Sequence, residues 1–143
     1  MGTGKPLILM VEDSSAHAQL LTLAVREATP SAEIRVAENA VTAFRMLSQR
    51  DEFAEVRLPM VIVLDANLPA ISGVSMLRTI KGDRRWKHIP VVMFSSSALD
   101  RDVCLAAGAA AYVIKPPDFA GYVTFARTLE PYLAGKRRLS ATR

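Results

Sequence analysis

Five polar residues stand at the ends of four hydrophobic runs. Glu12 and Asp13 follow residues 7–11, Asp65 follows 60–64, Ser95 follows 90–94 and Lys115 follows 111–114. Three carboxylates brought close together repel one another and need a proton or a hard cation to coexist. An all-oxygen set with room for water and phosphate oxygens suits Mg²⁺. A carboxylate in such a setting can attack a phosphoryl group and become an aspartyl phosphate. The added oxygens then need a cation and a hydrogen-bond donor, which Lys115 and Ser95 can supply. The residue types therefore point to phosphoryl transfer onto Asp65.

Bringing these residues to one place requires a particular architecture. The run from Leu7 to Val11 is continuously apolar, as in a strand covered on both faces, and residues 60–64, 90–94 and 111–114 repeat the pattern. Glu33 to Ala37 alternates polar with apolar, as at a sheet edge. Each run is followed by a helical stripe. Ser14 or Ser15 caps the first helix and Asn39 the second. Gly82 stops the third, Gly108 closes the short fourth, and Asp118 opens the last. Gly121 lies inside that last helix and weakens it by roughly 1 kcal/mol relative to Ala. Five strand-then-helix units imply a parallel sheet with helices on both faces. Ligands bind such sheets at the C-terminal strand edge, where all five polar residues fall.

The 143 residues suit one domain, expected over 6–133, with a basic tail at 134–143. Half of the residues are hydrophobic and 22% are charged, an ordinary globular composition. The lone cysteine, Cys104, cannot form an internal disulfide, which fits a reducing cytoplasm. No apolar run approaches the roughly 20 residues that span a bilayer, and the N-terminus is not a signal peptide. The net charge of +4 resides in Lys136, Arg137, Arg138 and Arg143; elsewhere acidic and basic residues balance. The tail reads as a solvated end, so neither nucleic acid nor membrane is an expected partner.

Five motifs then coincide: the pair Glu12-Asp13; Asp65-Ala66-Asn67-Leu68-Pro69 with Gly73 eight residues beyond Asp65; the run 90–95 ending at Ser95; Gly108-Ala109; and Tyr112 to Pro116. On these the chain resembles, from about Pro6 to Leu133, the CheY-like receiver domains of two-component response regulators. The resemblance implies a doubly wound α/β fold, flavodoxin-like, with five parallel strands in the order 2-1-3-4-5. It implies Asp65 as phosphoacceptor, with Lys115 and Ser95 on the phosphoryl oxygens. Mg²⁺ is expected on Glu12, Asp13, Asp65 and the backbone carbonyl of Asn67. Ser95 and Tyr112 are the implied switch pair, with Tyr112 moving inward, and the Lys115–Pro116 bond is expected to be cis. Asn67 and Ser97 occupy positions that tune dephosphorylation. Neither is a base, so water access should set the lifetime of the phosphoryl group.

The expected donor is a histidine kinase. The stretch 81–90 resembles the small single-domain regulators paired with phytochrome-type and hybrid kinases more than the chemotaxis motor regulators. Residues 134–143 are too few for an output domain. Output is therefore expected through a bound protein, through phosphorelay, or through a homodimer formed by helix 4, strand 5 and helix 5. Three readings compete. A haloacid-dehalogenase-type phosphatase shares the Asp, Ser, Lys and Mg²⁺ but needs an acid where Asn67 stands. A flavodoxin-like cofactor binder needs a phosphate-cradling loop where Glu12 and Asp13 stand. A receiver-like scaffold would never be phosphorylated. Among the remaining residues, His17 reads as an exposed helix position and Cys104 as a small helix residue without redox work. Trp86 and Phe53 read as packing at the rim of the core.

Overall fold

A computed structural model describes residues 4–135. The order is β1 (Leu7–Val11), α1 (Ser15–Ala28), β2 (Glu33–Ala37), α2 (Ala40–Leu47), a 3-10 turn (Asp51–Phe53), β3 (Val61–Leu64) and α3 (Gly73–Gly82). Then come β4 (Val91–Ser95), α4 (Arg101–Ala106), β5 (Ala111–Ile114), α5 (Phe119–Arg127) and a short α6 (Glu130–Leu133). The sheet is parallel throughout and ordered β2-β1-β3-β4-β5, as the resemblance implies.

The apolar runs become central strands because both of their faces are covered. Ile8, Met10, Val63 and Phe94 pack under α1 and α5, against Leu21, Val25, Tyr122 and Phe125. Leu9, Val11, Leu64 and Met93 point the other way, under α2, α3 and α4, against Leu47, Met76, Ile80 and Cys104. Strand residues alternate between the two layers with the period of two that a pleated strand imposes. Trp86 is buried in the second layer, where its indole N–H donates to the Leu47 carbonyl at 3.2 Å.

Three helix starts follow the expected caps, and Ser72 adds a fourth beyond those expected from the sequence. Side chains of Ser14, Asn39, Ser72 and Asp118 accept backbone N–H bonds from the first turns of α1, α2, α3 and α5. Gly108 takes φ +107°, a left-handed conformation that glycine adopts without a steric penalty. Three expectations change. Gly82 does not stop α3 but is its last residue, because Asp83 forms the C-cap. Gly121 is more than a weak point: a Cβ there would lie 2.3 Å from Pro116 Cβ, so its small size lets α5 approach the loop after β5. The Lys115–Pro116 bond is trans, since no peptide bond among the described residues is cis. Trans is the intrinsically favoured isomer, and it already lets Lys115 reach the acidic residues. Of the basic tail, residues 136–143 lie outside the described residues.

Candidate functional site

The four strand ends meet at one rim. Glu12 and Asp13 leave β1, Asp65 leaves β3, Ser95 ends β4 and Lys115 follows β5. Glu12 is 1% exposed, Asp65 5% and Ser95 0%, whereas Asp13 is exposed. A parallel sheet explains this burial: the strands bring their last residues in beneath the helices that cover both faces. Ligating oxygens of Glu12, Asp13 and Asp65 lie within 4.8 Å of one another.

Lys115 closes the acidic group from the β5 side. Its Nζ is 2.8 Å from Glu12 Oε1 and 3.4 Å from Asp65 Oδ2. Burial opposes the ammonium's charge, yet Glu12 and Asp65 together hold its pKa above the ordinary value. Burial also pushes the Glu12 carboxyl from 4.5 up to about 7, a rise that Lys115 restrains and Asp65 reinforces. Glu12 Oε1 is paired with Lys115 in charge but lies off the line of a hydrogen bond, and it is a buried oxygen with no hydrogen-bond partner. One ammonium thus serves two buried carboxylates incompletely, and Asp13 adds a third to the cluster. An orphaned carboxylate oxygen in an all-oxygen cluster is the donor set that a hard divalent cation satisfies. The residues present therefore fit such an ion.

Asp65 is held from beneath. Its Oδ1 accepts the Asn67 N–H at 2.9 Å. A Cβ on Gly73 would fall 2.4 Å from the Asp65 carbonyl oxygen and 2.6 Å from Ala66 Cα, so only glycine lets α3 start this close to the acceptor loop. This is the physical content of the glycine eight residues beyond Asp65.

On the β4 side the contacts are neutral. Ser95 Oγ accepts from Asn67 Nδ2 and from the Ser97 N–H, each at 3.3 Å. The Tyr112 hydroxyl donates to the Ser97 carbonyl at 2.6 Å, and Tyr112 is buried. Tyr112, the aromatic expected to move, is buried here against the second core layer. Arg101, at the start of α4, donates to the Tyr112 carbonyl at 3.2 Å. Asn67 and Ser97 thus both touch Ser95, a link that spacing along the chain did not reveal.

His17 differs from its reading as an exposed helix residue. It is only partly exposed, and its Nδ1 lies 3.1 Å from Lys115 Nζ. The signal was weak but present: His17 falls in the first turn of the helix that leaves the acidic pair, on the rim side of its N-cap Ser14.

Fold and rim together define a receiver-type architecture, and the comparisons with known proteins agree. The family model for the response regulator receiver domain matches residues 8–124. The chain belongs to the response regulator receiver domain family and so to two-component signalling. It is 34% identical to response regulator Rcp1 of Synechocystis sp. over 97 residues, which are 68% of this chain and 66%, just under two thirds, of that protein. Among solved structures it resembles a phosphorylated cyanobacterial phytochrome response regulator, RcpA, at 27% identity and TM-score 0.82, covering 93% of this chain and 96% of that one. It also resembles the Mn²⁺-bound form of Rcp1, at 28% identity and TM-score 0.78, covering 90% and 94%. The similarity to phytochrome-associated regulators matches the reading of residues 81–90. The phosphatase alternative finds no support, and the Asn67 side chain is engaged with Ser95 in place of any acid. No helix among the described residues is long and apolar enough to cross a membrane.

Proposed function

We propose that Asp65 accepts a phosphoryl group from a histidine kinase, of the phytochrome-associated or hybrid type, and that the change is read on the α4–β5–α5 surface. The observation that carries this reading is the convergence of Lys115, Glu12, Asp13 and Ser95 on a nearly buried Asp65. An Asp65 carboxylate oxygen attacks phosphorus. The bond from phosphorus to the donor imidazole breaks, and the imidazole leaves with the electron pair. Lys115 pairs with one phosphoryl oxygen and the Ser95 hydroxyl turns from acceptor to donor toward another. The carboxylates of Glu12, Asp13 and Asp65, with the Asn67 backbone carbonyl, would hold Mg²⁺. When bound, the ion offsets the mutual repulsion of carboxylates and phosphoryl oxygens. The Mn²⁺-bound relative supports a divalent cation here.

Turning Ser95 breaks its bonds to Asn67 and Ser97. Ser97 holds Tyr112, and Tyr112 is tied to Arg101 of α4, so this chain leads from the acceptor to the output surface. That surface is apolar and exposed at Leu99 (88%), Val103 (45%), Ile114 (44%) and Phe119 (38%). It suits a protein partner or a second copy of the chain. Onward relay of the phosphoryl group uses the same acceptor. Asn67 and Ser97 lack a base, so water access sets the lifetime of the phosphoryl group. The protein acts as a cytoplasmic switch, not as an enzyme that turns over substrate.

The test is to incubate the protein with Mg²⁺ and acetyl phosphate and to measure intact mass. We expect a gain of one phosphoryl group in the wild type and none in Asp65→Asn. No gain with acetyl phosphate or any candidate kinase would refute the reading.

A further inference from the structure

The binding scheme above leaves one polar contact at the rim without a role. His17 Nδ1 faces Lys115 Nζ at 3.1 Å, across 98 positions of sequence. A lysine ammonium has three donors and no acceptor. The imidazole nitrogen facing it must therefore be the acceptor, which puts the ring proton on Nε2.

Three groups surround this ammonium: Glu12 Oε1 at 2.8 Å, His17 Nδ1 at 3.1 Å and Asp65 Oδ2 at 3.4 Å. His17 and Asp65 are its hydrogen-bond partners, and Glu12 pairs with it in charge alone. Both carboxylates belong to the cation cluster, so both change partners when a cation binds or Asp65 is phosphorylated. His17 stands outside that cluster. Its place is fixed locally. The His17 backbone N–H donates to Ser14 Oγ at 3.2 Å, and the Ser14 backbone N–H donates to Glu12 Oε2 at 3.2 Å. The N-cap of α1 thus ties the His17 backbone to Glu12, while the imidazole and the Glu12 carboxylate both face Lys115.

We propose that His17 is a positioning residue for Lys115. It accepts a hydrogen bond from the ammonium throughout the cycle and keeps it at the rim as the phosphoryl oxygens arrive. This rests on the reading of Asp65 as phosphoacceptor. Without His17, the flexible lysine has only carboxylates as acceptors and settles toward Glu12, the nearer one, away from the phosphorus.

The test compares wild type with His17→Ala, His17→Leu and His17→Asn. Asn carries its Oδ1 where histidine carries Nδ1, so it keeps the acceptor; Leu keeps bulk without it. Rates of phosphorylation by acetyl phosphate are measured by intact mass, and the His17 tautomer by ¹⁵N resonance spectroscopy. Ala and Leu are expected to slow phosphorylation by about tenfold, the scale of a small misplacement of a reacting group. Asn is expected to restore it to within about twofold, because the acceptor is kept. The wild-type spectrum is expected to show the proton on Nε2. Equal rates in all four proteins, an Asn variant as slow as Ala, or a proton on Nδ1 would each overturn the role of His17 alone. A wild type that takes up no phosphoryl group would instead overturn the functional reading, and the positioning role with it.

Discussion

On the α1 side of Asp65 the rim is built from charge: Glu12, Asp13 and Lys115, with His17 beside them. On the α4 side it is built from neutral hydrogen bonds: Ser95, Asn67, Ser97 and Tyr112. The charged side holds its groups by strong attraction at the cost of burying them. The neutral side joins a short bond from Tyr112 to Ser97, 2.6 Å, to two long ones at Ser95, 3.3 Å each, and the long ones are easily exchanged. The contrast suits a division of labour. Strong, buried electrostatics captures an anion, and weak, near-balanced hydrogen bonds respond to its arrival.

Four experiments probe that contrast. Replacing Lys115 with Met should have the largest effect. It leaves Glu12 and Asp65 buried without their cation, and breaking such a pair costs on the order of 3 kcal/mol. Urea unfolding at pH 8 without Mg²⁺ should show the loss, Mg²⁺ should recover part of it, and phosphorylation should fall steeply. An unchanged midpoint would mean that the charged side is not held as described.

Gly73→Ala asks whether packing sets the position of Asp65 between the two sides. The added methyl meets backbone at 2.4 Å and 2.6 Å, so something must shift. Overpacking of this kind costs about 2 kcal/mol, and phosphoryl uptake should weaken with it. The control is Gly82→Ala, which meets open space. It should be neutral or slightly stabilising, by up to about 1 kcal/mol.

The third experiment varies pH. The folded-state pKa of Glu12 is raised, from 4.5 to about 7. Its contribution to stability is therefore fully present below 4.5 and is lost as pH rises through about 7. In metal-free protein that loss should show as a fall in melting temperature between pH 5 and pH 8. Glu12→Gln should flatten the dependence. Because Mg²⁺ favours the charged carboxylate, its stabilising effect should be larger at pH 8 than at pH 5. Thermal melts across this range with and without Mg²⁺ decide it, and equal Mg²⁺ effects at both ends would contradict the assignment of Glu12.

Ser95→Ala should do least to stability. It removes the shared acceptor of Asn67 and Ser97, for about 1 kcal/mol. Phosphorylation should persist within a few-fold, while phosphorylation-dependent changes in amide resonances of α4 and β5 should shrink. If phosphorylation failed as badly as in the Lys115 variant, the division between the two sides would collapse.

Much of this architecture was legible along the chain. Strand positions, caps at Ser14, Asn39 and Asp118, and the turn at Gly108 follow from local rules of periodicity, capping and left-handed glycine. They match the structure to within a residue or two. The short α6 and the 3-10 turn were missed, since pieces of three or four residues carry no periodic signal. Gly121 was misjudged as a mere weakness because its neighbour, Pro116, lies across a turn. The bond before Pro116 is trans where the family resemblance implies cis, because the isomer of an X–Pro bond is set by its tertiary surroundings and not by the dipeptide.

At the site, residue types and their places after apolar runs single out Glu12, Asp13, Asp65, Ser95 and Lys115, and the structure brings all five to one rim. A run that ends in a polar residue is a local fact, and a parallel sheet turns four such facts into one rim. Contacts between side chains from different strand ends are not local. That Lys115 reaches His17 across 98 positions, that Asn67 bonds Ser95 across 28, and that Glu12 is left with an orphaned oxygen depend on how the covering helices close over the sheet. Packing decided these contacts, and with them how the charged and neutral sides of Asp65 are arranged.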